Sequence, residues 1–592
     1  MSPTHTHHKA QPIRQTLTLI RRHALVLLSM GTALQFLVSG LGAGLLVYLF
    51  RLALIAADQT NLDKNNISHL LANPLSIGIL LVLGAVFALL FYLELSAIAY
   101  VIDACRQGKR LSYRGLLTHS LGRLKSLTGL DFVSFFGYLL ITLPVSGWVL
   151  ESSLTEGIYV PEFITGELMK TPMGTVMVGL VFLVLSYLNL RLIYTVPLMV
   201  IGDQAFSQSL KMSWQATRQG KRKLVGALLG FEVILAILGF LFIILGASLA
   251  FLINTKGDNL WFQAGVLTLY RGVNFAFGLF TKVGVMSILL IFLGRPLESQ
   301  PYLLAQAKGK RGWRFYLLLA LLGAMAYGSA AFEVFSSGLN TKQQVVAHRG
   351  YVAEGVENTI PALEAAAAQG VDQVEMDILL TKDLQFVVMH DYNLKRLAGL
   401  DRRVQDMTLA EVEGLTVHQD GLEATIPSFD AYVKRAKELG VKLLVELKPH
   451  GGEPNNYAQI FIDKMRQLGV ETQYKTMSLD LKVMEEIERL APEIETGYVI
   501  PIQLGGFGDN QVDFFVIEDF SYQDYLADQA HDQGKAVYVW TINDNEKIRK
   551  YLQKPVDAII TDQPDQVAKI RQKLQSHKVN YLDYLLQLAS GN

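Results

Sequence analysis

The chain has 592 residues, more than one ordinary domain holds, so at least one domain boundary is expected. Hydrophobic residues make up 51% of the chain and charged residues only 18%, which indicates that part of it is solvated by lipid. The formal net charge is +0, and the charges after Thr341 are mixed in sign, which excludes a nucleic-acid partner that would need a concentrated basic face. The single cysteine, Cys105, excludes an internal disulfide.

Residues 1–337 are predicted to form a helical membrane domain with about seven transmembrane helices, because each apolar run can cross a bilayer core of about 30 Å. The predicted spans lie near residues 24–50, 74–101, 129–150, 173–200, 224–253, 263–293 and 314–336. The first run follows Arg21 and Arg22 but is longer than the apolar core of a secretory signal, so we expect it to be retained.

Lysine and arginine alternate between the short loops. They are concentrated before residue 23 and in the connections 106–125, 211–223 and 295–314, whereas the connection around 151–170 is rich in glutamate. Basic loops stay on the cytoplasmic side of a membrane. An odd number of spans therefore predicts a multi-pass protein of the cell membrane, surrounded by membrane lipids, with everything after Phe335 extracellular.

Five ionisable residues interrupt the apolar runs, namely Glu94, Arg191, Glu232, Arg271 and Lys282. Such residues are costly in lipid and are often functional. The alternative is structural, with the side chains pairing with each other or reaching toward the helix ends. Both interpretations stay open from the sequence.

Residues 338–592 alternate between brief β-rich runs and helical segments, which predicts an α/β barrel of the TIM type, (β/α)₈. The candidate strands are VVAH, QVEMDILL, FVVMH, KLLVEL, YKTMSL, ETGYVI, DFFVIE, AVYVWTI and DAIIT, and the candidate helices are PALEAAAAQG, FDAYVKRAKELG and LKVMEEIERLAP. Nine strands are one too many for this barrel. We expect QVEMDILL and FVVMH, joined only by TKDLQ, to form a local hairpin.

Four of the strand runs end in polar residues, and in such a barrel the working groups project from the carboxyl ends of the strands. Glu375 and Asp377 lie two apart and share a face, and Glu446 ends another strand. Three carboxylates suit a hard divalent cation, Ca²⁺ or Mg²⁺. The alternative is that they are solvated or pair with Arg349 and Lys448, but charges within Val, Leu and Met runs are costly to bury without a site.

Two histidines end strand runs as well. His348 and His390 carry side chains that exchange protons near neutral pH, so one is expected to act as a base and the other as an acid. Arg349 and Lys448 could bind phosphate oxygens. Together with a cation, these groups describe phosphoester cleavage.

The segment HRGYVAEGVENTIPALEAAAAQG, followed by EMD, TKD, VVMHDYNLKRLAG, ELKP, VWTIN and DAIITDQP, resembles the glycerophosphodiester phosphodiesterase family over roughly residues 343–573. The preceding helices look like the membrane domain fused to some members. The resemblance implies hydrolysis of a glycerophosphodiester to sn-glycerol 3-phosphate and an alcohol.

The resemblance also implies residue roles. It assigns His348 and His390 to the acid/base pair, Glu375, Asp377 and Glu446 to the metal, and Arg349 and Lys448 to the phosphate. Glu357 and Asn358 match the family's EN pair, and Glu357 is expected to support the metal or Arg349. Trp540 matches a family aromatic that could pack against glycerol, or it belongs to the core.

Two regions depart from the family pattern. Leu384 replaces the glycine of a Thr-x-Asp-Gly turn, and the stretch LGGFGDNQVDFFVIEDF, expected to shape the alcohol side of the pocket, matches poorly. The identity of the alcohol, the role of the membrane domain beyond anchoring and the oligomeric state are therefore not fixed by the sequence. Two alternatives remain: a phospholipase C-like or D-like enzyme acting on intact lipid, and an inactive barrel serving as a sensor on a transporter-like membrane domain.

Overall fold

The computed structural model of the chain describes residues 12–59, 61–62, 67–106, 129–142, 152–155, 162–202, 204–218, 220–255, 258–294, 313–336 and 342–575, with isolated positions at 118, 122 and 581. The chain divides into two compact units. The first combines residues 1–53, 77–335 and 579–591, and the second combines residues 54–76 with 336–578. The boundary predicted after residue 337 lies outside the described residues.

The part of the chain before residue 337 is helical wherever the structure describes it, apart from short connections and the two-residue strand Asn61–Leu62. Its helices are Pro12–Gln35, the π-helical Phe36–Gly42, Ala43–Ala56, Ile67–Ala72, Pro74–Arg106, Leu130–Thr142, Glu162–Met169, Pro172–Leu192, Thr195–Gly202, Phe206–Ala216, Lys221–Ile253, Leu260–Phe292 and Trp313–Ser336.

Within the described ranges, five helical stretches are long and apolar enough to cross a membrane. They are Pro12–Ala56, Pro74–Arg106, Pro172–Ile201, Lys221–Ile253 and Leu260–Phe292. The third and seventh predicted spans coincide with the shorter apolar helices Leu130–Thr142 and Ala320–Phe335. The membrane character of this part of the chain follows from these lengths, whereas the number of spans stays a prediction.

Four of the five intramembrane ionisable residues have partners that the structure identifies. Lys282 Nζ lies 3.3 Å from Glu94 Oε1, and the same carboxylate accepts hydrogen bonds from the Ser152 hydroxyl and the Ser153 backbone N–H. Arg271 pairs with Glu333 at 2.6 Å. The Arg191 guanidinium lies 4.3 Å from the centre of the Trp214 ring. Such pairing agrees with the structural interpretation of these charges.

The second unit is built on a closed parallel barrel. Its strands are β1 Gln344–Ala347, β2 Gln373–Leu380, β3 Phe386–Val388, β4 Thr416–Gln419, β5 Leu422–Thr425, β6 Lys442–Leu447, β7 Lys475–Ser478, β8 Thr496–Ile500, β9 Phe514–Glu518, β10 Ala536–Trp540 and β11 Ala558–Thr561. The barrel order is β1-β2-β6-β7-β8-β9-β10-β11, and β11 pairs with β1 in parallel to close it. This confirms the predicted (β/α)₈ barrel.

All nine predicted strands are present. The predicted local hairpin is also confirmed, because β3 pairs antiparallel with β2 at one end of the barrel strand and does not enter the closed order. Sequence reasoning missed a second hairpin, β4 with β5, whose two turn residues Asp420 and Gly421 have φ of 51° and 83°. The second unit also contains a two-residue antiparallel pairing of Asn61–Leu62 with Leu504–Gly505.

Helices cover the barrel strands from outside. They are Ile360–Ala368, Phe429–Leu439, Tyr457–Leu468, Leu481–Leu490, Asp524–Asp532, Asn545–Tyr551 and Pro564–Gln575, with the short turns Lys395–Ala398 and Leu409–Val412 beside the β4–β5 hairpin. The three helices predicted from sequence lie at the first, second and fourth of these positions. The remaining ones were not predicted.

Side chains alternate between two buried layers along the strands, as the period of two requires. Val345 and Leu443 pack with helix residues in the outer layer. Val346 and Leu444 pack in an inner cluster made of strand and strand-end residues. This alternation directs the residues two and four positions further along the strands, including His348 and Glu446, toward the inside of the barrel mouth.

Candidate active site

Three buried carboxylates lie together at the barrel mouth. Glu375 and Asp377 project from β2, and Glu446 projects from β6, where it stands opposite Asp377 in the parallel register. One oxygen from each carboxylate lies within 4.8 Å of the others, and all three side chains are almost fully buried. The structure thus brings together the three residues that the sequence predicted as metal ligands.

The protein's own cations do not fully compensate this cluster. Burial, followed by the charges of Asp377 and Glu446, raises the pKa of Glu375 well above its ordinary value. Burial also disfavours the charged form of Asp377, but Lys448 and other cations outweigh it and hold its pKa below the usual range. Among the described residues, Glu375 Oε1 is buried without a hydrogen-bond donor. An oxygen-only donor set with an unpartnered buried oxygen fits a hard divalent cation.

The two cations predicted to bind phosphate flank the carboxylates. Lys448 Nζ lies 3.0 Å from Glu446 Oε1 and 3.2 Å from Asp377 Oδ1. Arg349 has a φ of 57°, in the left-handed region, and this backbone conformation directs its N–H to Glu375 Oε2 at 2.8 Å. Its guanidinium reaches Asp377 Oδ2 at 3.4 Å.

The backbone around Arg349 needs the glycine that follows it. Gly350 has a φ of 88°, and a Cβ at this position would lie 2.7 Å from the Cβ of Ala362 and 2.8 Å from its backbone. Both the positive φ and the close approach exclude larger residues without strain. The turn that carries Arg349 is therefore fixed by packing against helix Ile360–Ala368.

His348 is held by a carboxylate from the last barrel strand. Its Nδ1 lies 2.7 Å from Asp562 Oδ1, directly after β11. Asn543 anchors Asp562 through two hydrogen bonds, donating from Nδ2 to Oδ2 at 2.5 Å and accepting the Asp562 backbone N–H at 2.8 Å. Burial opposes the charge on Asp562, but His348 and Asn543 lower its pKa to about 2. Asp562 therefore remains ionised beside the imidazole.

His390 also contacts an aspartate, but an arginine neutralises the charge of that aspartate. Its Nδ1 lies 2.8 Å from Asp391 Oδ1, while Arg396 donates to both oxygens of Asp391. Burial, and then the nearby charges of Lys448 and Arg349, lower the pKa of His390 to about 4. The imidazole of His390 is therefore neutral over the physiological pH range.

Glu357 and Asn358, the EN pair, form hydrogen bonds to the charged groups of the site. Asn358 donates from Nδ2 to Asp377 Oδ2 at 2.7 Å and accepts the Asp377 backbone N–H at 2.9 Å. Glu357 accepts a hydrogen bond from Arg349 Nη1 at 3.0 Å, as expected for a support of Arg349. Glu357, His390 and Asp391 form a second group of side chains that could hold a metal ion. Arg396 already bridges the carboxylates of that group, which favours the three-carboxylate cluster as the cation site.

Trp540 ends β10 and packs, partly buried, against the inner cluster of the barrel.

The turn in which Leu384 replaces the family's glycine also forms. Leu384 takes a φ of 59° where the family has glycine, and Thr381 closes the turn through its hydroxyl, which donates to Asp383 at 2.7 Å.

Sequence reasoning assigned no role to Arg396, Gln419, Asn543 or Asp562. Three of them lie within the segments that carry the family resemblance, so the signal was present there without indicating which group each residue contacts. Gln419 lies in the unpredicted β4–β5 hairpin, and no sequence pattern marks it.

Fold and site together place this protein among the barrel enzymes attached to a membrane. Residues 13–322 match the family described as membrane domain of glycerophosphoryl diester phosphodiesterase, and residues 348–566 match the glycerophosphoryl diester phosphodiesterase family. The chain therefore belongs to the glycerophosphoryl diester phosphodiesterase family, and it is an enzyme, a phosphoric diester hydrolase.

Individual relatives resemble the barrel. A glycerophosphodiester phosphodiesterase of Caldanaerobacter subterraneus is 23% identical over 39% of this chain and 99% of its own length. A lysophospholipase D of Rattus norvegicus is 43% identical over 67 residues, which are 11% of this chain and 21% of the relative. A solved phosphodiesterase structure from Oleispira antarctica, in complex with sn-glycerol-3-phosphate, is 24% identical over 39% of this chain and 96% of that one, with a TM-score of 0.35.

Proposed function

We propose that the protein hydrolyses glycerophosphodiesters to sn-glycerol 3-phosphate and an alcohol, with a divalent cation, at the outer face of the cell membrane. The observation that carries the proposal is the convergence of three buried carboxylates, two cations and two aspartate-supported histidines at one barrel mouth. The family membership supports the same reaction class.

Glu375, Asp377 and Glu446 would hold the cation, Ca²⁺ or Mg²⁺. When bound, it supplies positive charge that stabilises negative charge developing on the reacting oxygens. Asn358 fixes the carboxylate of Asp377 from behind, so that its Oδ1 points away from Asn358 toward Lys448.

Arg349 and Lys448 would bind the phosphate oxygens, Arg349 through its planar guanidinium and Lys448 as a point charge. Both cations border the carboxylate cluster, so the phosphate would lie directly beside it. Trp540 would present its partly buried ring to the glycerol moiety.

The partners of the two histidines support different roles for them. Asp562 keeps its negative charge beside His348 Nδ1, which suits the general acid that donates to the leaving oxygen. Arg396 neutralises Asp391, and nearby cations keep His390 unprotonated, which suits the general base. His390 would accept the proton of the attacking oxygen, either the neighbouring glycerol hydroxyl or water.

The alternation of basic loops supports an extracellular barrel. Protease added to intact cells stripped of their wall should release a soluble fragment carrying the barrel. Release only after lysis would contradict the orientation.

The substrate is tested by product analysis on purified full-length protein. Soluble deacylated diesters, lipid-linked polyglycerophosphate and phosphatidylglycerol would be compared side by side, and sn-glycerol 3-phosphate is the expected product of the preferred substrate. A lipid product instead would favour a phospholipase C-like or D-like activity. No turnover of any diester, with His348→Ala indistinguishable from wild type, would favour a sensor role for the barrel.

A further inference from the structure

Arg396 lies in the turn Lys395–Ala398, after β3, where two carboxylates meet. Its Nε and Nη2 donate to Asp391 at 2.6 Å and 3.1 Å, and its Nη1 and Nη2 donate to Glu357 at 3.0 Å and 2.6 Å. The side chain is mostly buried, with 15% exposed. Among the described residues, this guanidinium therefore bridges two acidic side chains inside the site.

Each carboxylate holds a different working group. Asp391 contacts Nδ1 of His390, the proposed base. Glu357 accepts a hydrogen bond from the guanidinium of Arg349, the proposed phosphate ligand. Through Arg396, the proposed base His390 and the proposed phosphate ligand Arg349 are connected by a continuous set of charge-assisted hydrogen bonds.

Gln419, from the β4–β5 hairpin outside the closed barrel, forms two hydrogen bonds to Glu357. Its Nε2 donates to Glu357 Oε2 at 3.1 Å, and its Oε1 accepts the Glu357 backbone N–H at 2.9 Å. Gln419 ends β4, immediately before the hairpin turn at Asp420 and Gly421. The hairpin that sequence reasoning missed thus contributes a side chain to the site.

The planar fork of arginine suits this position, and lysine would not replace it. Lysine offers a point charge that cannot serve both carboxylates in a fixed plane. Without a cation at this position, the buried Glu357 and the half-buried Asp391 would be only partly compensated, and each could shift together with its own partner. We propose that Arg396 is a positioning residue that sets the placement of His390 relative to Arg349, with Gln419 supporting the Glu357 side. This inference rests on the proposed roles of His390 and Arg349.

The test compares kcat and KM for variants that disturb one half of the arrangement or both, in the metal-loaded full-length protein. Asp391→Asn should lower kcat with little change in KM, whereas Gln419→Ala should raise KM with little change in kcat. Arg396→Ala should do both and lower kcat/KM about tenfold to hundredfold. The matched control is Arg435→Ala, because Arg435 also bridges two carboxylates, Glu364 and Glu438, but on the exposed outer face of the barrel.

Two further measurements separate positioning from folding. The double variant Arg396→Ala with Asp391→Asn should lose less than the product of the single losses, by about threefold or more, because the residues act through each other. Millimolar guanidinium should partly restore Arg396→Ala, and methylammonium should not. If Arg396→Ala does not fold, Arg396→Lys keeps the charge, and it is expected to fold with kcat/KM still reduced.

Activity of Arg396→Ala equal to that of Arg435→Ala would overturn the inference. So would a loss that is additive with Asp391→Asn, is not rescued by guanidinium and is accompanied only by a lower melting temperature. Near-normal turnover by His390→Ala would instead contradict the proposed function, so the two failures are distinguishable.

Discussion

Asp562→Asn provides a test of the acid role of His348. The substitution keeps the size of the side chain and can keep the hydrogen bond to His348 Nδ1, which is 2.7 Å long, but it removes the negative charge. Asn543 Nδ2 would then face the amide nitrogen of the new side chain, so its hydrogen bond to Oδ2 is lost as well. The expected defect is nevertheless mainly electrostatic, since His348 loses the neighbouring anion.

The size of the defect follows from the carboxylate. Its neighbours lower the pKa of Asp562 from 3.8 to about 2, against the opposing effect of burial. That difference corresponds to about 2 kcal/mol, shared between His348 and Asn543. We therefore expect kcat on a natural diester to fall by roughly tenfold to thirtyfold.

The assay compares two substrates. A diester with a p-nitrophenol leaving group needs no protonation of the leaving oxygen, so Asp562→Asn should be nearly as fast as wild type on it. Asp430→Asn is the matched control, because Asp430 also pairs with one cationic side chain, Lys464 at 3.1 Å, but on the outer helical layer. An equal loss on both substrates would refute the assignment of His348 as the acid.

Three further outcomes are expected. Excess chelator should abolish turnover, and full activity in chelator would contradict the cation site. Glu375→Gln should also abolish turnover, but it should not lower the melting temperature of the metal-free protein, because it relieves repulsion among the buried carboxylates. Burial and nearby cations lower the pKa of His390 to about 4, so its neutral, basic form persists down to that pH. The value of kcat/KM should therefore stay level from pH 7 to about 5 and decline only as the pH approaches 4. A decline centred near pH 6.5 would contradict this role of His390. Lys282→Ala should destabilise the detergent-solubilised protein by about 3–5 kcal/mol by leaving Glu94 buried without its cation. A melting temperature equal to that of wild type would show that the buried pair is not structural.

Periodicity carried most of the correct prediction of the barrel. Alternating apolar runs identified all nine predicted strands, and the five-residue spacing between QVEMDILL and FVVMH identified their hairpin. The β4–β5 hairpin was missed because its strands are short, partly exposed and rich in polar residues, so they carry little hydrophobic signal. In the membrane part, long apolar runs predicted the helices but not how many of them cross the bilayer.

Local sequence determined the fold class, the family and the residues that end the barrel strands, because strand alternation and motif spacing are short-range properties of the chain. Only the tertiary structure decided which carboxylate supports which histidine. Asp391 follows His390 directly, whereas Asp562 lies 214 residues from His348 and reaches it because β11 closes the barrel against β1, with Thr561 opposite Ala347. Barrel closure joins the two ends of the unit, and no local pattern encodes that contact.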